Sequence, residues 1–170
     1  MKTFLWLITL LPALLVTGCD VKNTPIPLQD SPLVGIWEGS KEVRKDRIIQ
    51  RDRMYLEFTE AGYVAFHRVN CWADATAPEK VWKMKNFSID FMPVIKLNQK
   101  KAKAQWMPFT PKVELSLDQW PEDADGSREM VVDGMRLVQV PEASERAGWT
   151  CDNMAASSGD AVQDTVSAGS

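Results

Sequence analysis

Four side chains in this chain of 170 residues are of the kinds that bind metals, form disulfides or take up acyl groups: Cys19, Cys71, Cys151 and the lone histidine, His67. A metal centre would need further ligands at short spacing, and His67 lies four residues before Cys71 with no partner motif. On a predicted strand, His67 is expected to point to solvent or to serve as a satisfied structural side chain. The stretch Asp123-Ala124-Asp125-Gly126-Ser127 has the outline of a calcium loop. It lacks a third acidic position and a distal glutamate, so a β-turn is the better reading. No G-x-S-x-G, glycine-rich phosphate loop or H-E-x-x-H occurs. No cofactor, metal or catalytic set is therefore expected, and the chain reads as a binder rather than an enzyme.

The remaining composition is that of one globular domain, 45% hydrophobic and 25% charged. Gly 9, Pro 10 and Cys 3 exclude a collagen-like, fully disordered or disulfide-packed chain. A net charge of −3 argues against a surface built to hold nucleic acid. The charge is unevenly placed: residues 41–103 carry 14 Lys/Arg against 8 Asp/Glu, and residues 117–170 carry 3 against 11. The basic half, including Lys96, Lys100, Lys101 and Lys103, suits anionic headgroups or an acidic partner. The alternative is a solvated strand edge on which lysines discourage edge-to-edge pairing.

The N-terminus gives an address. Met1-Lys2 is followed by an apolar run from Phe4 to Val16, too short for a mature transmembrane helix and interrupted by Pro12, as a secretory signal would be. Val16-Thr17-Gly18-Cys19 then resembles the signal of bacterial lipoproteins. That resemblance implies a signal peptide over 1–18, a diacylglyceryl group on the Cys19 sulfur, cleavage before Cys19 and acylation of its new amine. The domain would thus be held on the cell envelope, facing the periplasm. Asp20 resembles the inner-membrane retention signal of enteric bacteria, so the inner membrane is favoured over the outer. The alternative is a plain secreted protein cleaved after Gly18 with Cys19 a free thiol.

With Cys19 taken by lipid, Cys71 and Cys151 remain as an even pair in an oxidising compartment, 80 positions apart. A disulfide between them is favoured over two free thiols or a metal site.

Residues 19–32 carry three prolines and no periodic apolar face, and read as a semi-extended tether. Residues 153–170 contain too little apolar area to offset their ordering entropy and read as a disordered tail. The folded unit is then 33–152. Within it apolar residues recur every second position, as in Leu33/Gly35/Trp37, Met54/Leu56/Phe58, Phe87/Ile89/Phe91 and Val113/Leu115/Leu117. Thr59–Gly62 is a hairpin turn, and Asp133-Gly134 suits a two-residue type I′ turn. Seven or eight short antiparallel strands predict an all-β up-and-down barrel or barrel-like sandwich. Lys41–Arg53 is expected to be a charged loop or strand extension.

Gly35-Ile36-Trp37 at the first strand of an exported all-β domain resembles the G-x-W signature of lipocalins and the wider calycin group. The resemblance implies that Trp37 plugs one end of the barrel while Arg136, on the last strand, packs across its ring by a cation–π contact. It further implies an interior able to hold a small apolar ligand; Met54, Phe58, Phe66, Phe87 and Trp106 are the candidate lining residues. The bland alternative is that these side chains simply fill the core. The functional expectation is a non-enzymatic, membrane-anchored envelope lipoprotein whose β-domain engages a protein partner, or alternatively carries a small hydrophobic ligand or lipid.

Overall fold

The computed structural model describes residues 23–143 and 149–154. The expectations for the signal peptide over 1–18, acylation at Cys19, sorting by Asp20 and the greater part of the 153–170 tail lie outside the described residues. The described chain is all-β. Eight strands, β1 (Gly35–Lys45), β2 (Ile48–Phe58), β3 (Tyr63–Asp74), β4 (Lys83–Asn98), β5 (Lys101–Ala104), β6 (Val113–Ala124), β7 (Ser127–Val132) and β8 (Met135–Val140), form a closed antiparallel barrel. Each strand pairs with the next, and β8 returns to β1, so the connectivity is up-and-down.

The turns follow from backbone chemistry. Asp125-Gly126 and Asp133-Gly134 both have positive φ (48° and 83°; 49° and 68°), the conformation that a two-residue hairpin turn of right-handed twist requires. The calcium-loop outline at 123–127 is thus the tight turn between β6 and β7. Lys41–Arg53 is not a loop: it forms the far ends of β1 and β2 on either side of an Asp46-Arg47 turn, the strand-extension alternative.

Strand parity sets what lies inside. Trp37 pairs with Leu56, Leu56 with Phe66, and Phe66 with Ile89, so these side chains share the inner face. One continuous buried cluster fills the barrel there, including Trp37, Met54, Leu56, Phe58, Val64, Phe66, Val94, Leu117, Met130 and Leu137. Gly39 is needed where β1 meets β8, because a Cβ would stand 2.1 Å from the Arg136 carbonyl oxygen.

Two segments outside the strands complete the body. The region expected to be a tether is packed against the barrel from Asn23 onward. Ile26 N donates to Val94 O (2.8 Å), Leu28 N donates to Glu60 O (2.9 Å), and Leu28 and Leu33 are buried in the main cluster. The prolines keep this segment extended, and its two leucines supply the apolar area that docks it. Gly62 makes room: its φ is +85°, and a Cβ there would lie 2.0 Å from Ile26 O. On the outer face, Trp149, Cys151 and Met154 pack over Tyr55, Ala65, Val69 and Cys71. The expected disulfide Cys71–Cys151 is present, with a Cα–Cα distance of 5.6 Å.

Candidate functional site

The inner faces of β1–β4 change character along the strands. Beyond the apolar body, four successive cross-strand rows point the same way: Gly39/Met54/Arg68/Phe87, then Lys41/Asp52/Asn70/Lys85, then Val43/Gln50/Trp72/Lys83, and last Lys45/Ile48/Asp74. The β7–β8 turn reaches only the second of these rows, where Lys41 Nζ donates to Gly134 O (3.2 Å). The β1–β2 hairpin and its neighbours therefore project beyond the opposite wall, and their inner side is open.

Asp52 forms the floor of this projecting face. It is buried, yet its carboxylate accepts from Gln50 Nε2 (3.1 Å to each oxygen), Arg68 Nη2 (3.3 Å) and Asn70 Nδ2. A buried carboxylate is tolerable only when its lone pairs are taken up in this way. The group is structural: its acceptor capacity is committed to three neighbours, and it separates the apolar interior from the open face above.

Above that floor, large apolar side chains stand in solvent. Val43 is 45% exposed, Ile48 53% and Trp72 36%; Phe87, one row below Asp52, is 47% exposed. Lys45, Arg47, Lys83 and Lys85 surround them, with Asp46 and Asp74 as the nearby acids. A cleft of about 540 Å³ opens at the hairpin tip, lined by Val43, Lys45, Asp46, Arg47, Ile48 and Gln50. An apolar surface framed by cations complements an acidic partner that also carries apolar side chains.

The residues expected to line a ligand pocket divide. Met54, Phe58 and Phe66 are buried inside the barrel as core. Phe87 is not enclosed; it sits at the open face with its ring centroid 5.6 Å from that of Phe66. Trp106 is outside the barrel altogether, because β5 ends at Ala104 and the chain turns away before the indole could face inward.

The Trp37 half of the expected barrel-end pair is in place: it is fully buried, and its Nε1 donates to Leu33 O (2.7 Å). The Arg136 half is not. Met135 and Leu137 occupy the inward positions of β8, so Arg136 between them points outward, where it pairs with Glu129. Cation–π stacking is found instead on the outer face, with Arg53 over Trp149 at 4.2 Å and Arg51 over Trp82 at 4.7 Å. His67 is structural: it is buried beneath Trp149, ring centroids 5.1 Å apart. Among the described residues no group of three or more His, Cys, Asp or Glu is placed to hold a metal ion.

Sequence reasoning missed the Asp52 quartet and the open apolar face. A signal existed, because Gln50 and Asp52 share the parity of Met54, Leu56 and Phe58 and so had to point inward. The fold defines an eight-stranded up-and-down β-barrel with a projecting, partly apolar inner face. Comparisons with protein families, curated proteins and solved structures find no match.

Proposed function

We propose that the protein is a lipid-anchored envelope lipoprotein with a lipocalin-like barrel, whose projecting inner face binds an acidic segment of a protein partner. Acylation at Cys19 follows from the likeness of Val16–Cys19 to a lipoprotein signal, and the Cys71–Cys151 disulfide suits an oxidising compartment such as the periplasm. Asp20 favours the inner membrane. The observation that carries the binding role is the exposure of Val43, Ile48, Trp72 and Phe87 among Lys45, Arg47, Lys83 and Lys85. Apolar patches of this kind, rimmed by charge, mark interaction surfaces on soluble domains.

The reading is of binding without turnover and without a cofactor. The carrier alternative has less support, because an apolar ligand inside the body would have to displace Met54, Phe58 and Phe66 from a continuous core. A benzophenone amino acid at position 43, irradiated in intact cells, tests the binding role. The expected result is a discrete protein adduct that disappears when Lys45 and Lys85 are both changed to Glu. Recovery of no specific adduct, or of lipid alone, would overturn it.

A further inference from the structure

We infer that the connection between β5 and β6 is a membrane-contact element, inserting Trp106, Met107 and Phe109 into the interfacial layer of an anionic bilayer. This deepens the lipid-anchor reading and rests on it. Phe109 is 100% exposed, Trp106 44% and Met107 43%, three large apolar side chains within four residues. The loop is firmly built. Buried Gln105 donates through Nε2 to Pro108 O (3.0 Å) and Thr110 O (2.7 Å), while Thr110 Oγ1 accepts from Met107 N (3.1 Å). Its hydrogen bonds are spent on presenting apolar groups to solvent, an arrangement that is unfavourable until something covers them.

The position of the N-terminal segment identifies the cover. Asn23 N donates to Trp106 O (3.1 Å) and Asn23 Nδ2 donates to Gln105 O (2.9 Å), so the chain is clipped to this loop at Asn23. Cys19 is four residues earlier, and four extended residues reach at most about 14 Å. Acyl chains on Cys19 therefore bring the loop to the headgroup layer, where Trp and Phe are favoured. The adjoining strands suit an anionic surface. Lys96 stands directly opposite Lys103, a like-charge pair that Glu114, on the other side of Lys103, offsets only in part.

Two readouts on the full-length chain made in bacteria test the inference. The first is incorporation of a clickable fatty acid. The second is quenching of tryptophan fluorescence by brominated acyl chains after reconstitution into phosphatidylethanolamine/phosphatidylglycerol vesicles. The expected result is label incorporation together with quenching, the larger part of which is lost in Trp106→Phe. Label incorporation with quenching unchanged in Trp106→Phe would overturn the loop contact and leave the anchor standing. Absence of label would overturn the anchor, and the placement of the loop with it.

Discussion

Inside the barrel, Arg68 Nη2 lies 3.3 Å from Asp52 Oδ2, and Arg68 Nε, itself buried, has no hydrogen-bond partner among the described residues. The pair sits where the core changes from apolar to polar, between Met54 below and Gln50 above. Removing one member strands the other, which costs more than the pair contributes as a unit.

Asp52→Leu is accordingly expected to lower unfolding stability by about 3 kcal/mol, the lower end of the range for a broken buried pair, because the Arg68 side chain keeps a quarter of its surface in solvent. Asp52→Leu combined with Arg68→Met should recover most of that loss. Urea denaturation of the three variants measures it, and additive losses in the double variant would show that the pair is not coupled.

Trp37 and Arg136 are expected to behave oppositely. Trp37→Phe leaves the buried Leu33 carbonyl without its donor and should cost roughly 1–3 kcal/mol. Arg136→Ala removes only a half-exposed ion pair with Glu129 and should cost no more than about 1 kcal/mol. Thermal melts of both variants are the check. A larger loss for Arg136→Ala would restore the cross-ring role that the resemblance implied.

The disulfide closes a loop of 80 residues and fastens the 149–154 segment over β2 and β3. Replacing Cys71 and Cys151 together by Ser should destabilise by about 2–4 kcal/mol, through a freer unfolded chain. It should also shift Trp149 emission to the red as the indole leaves its place under Arg53. A melting temperature insensitive to reductant would contradict both expectations.

Acid should weaken the outer face at Glu42. The hydrogen bond from Arg51 (2.8 Å) is the main reason its carboxyl sits below the ordinary value of 4.5, against the opposing effect of partial burial and with further help from Arg44. A depressed folded-state pKa means that this contribution is complete above the ordinary value and is lost as pH falls through the folded one. Partial exposure keeps it to a fraction of about 1 kcal/mol. Glu42→Gln should therefore flatten the acid limb of stability against pH between about 5 and 2. A curve merely displaced in parallel would rule the pair out.

Strand number, closure and turn positions were legible because the apolar alternation has a period of two and Asp-Gly pairs mark the hairpins. The outer end of the barrel was not, since from Lys41 to Arg53 charged residues fall on both faces and the few apolar ones, Val43, Ile48 and Ile49, do not keep to one face, so alternation carries little contrast there. Arg136 was misplaced by attending to its type and not to its neighbours: Met135 and Leu137 already claim the inward positions. The alternation Ala102, Ala104, Trp106 carries the strand two residues past Ala104, where the pairing ends. The docking of residues 23–34 was hidden by their prolines, although Leu28 and Leu33 were the signal.

The ring of strands is shut at one height and split at another. β8 registers with β1 only over Ile36–Glu38, and β5 covers β4 only from Val94 onward. The upper lengths of β1 and β4 are thus margins with amide groups facing outward, and Lys41, Lys45, Lys83 and Lys85 stand along them. Any stray polypeptide zipping onto these borders would have to strip water from ammonium groups. The lysines that border the open inner face thus also keep its bare strand margins from pairing with another chain.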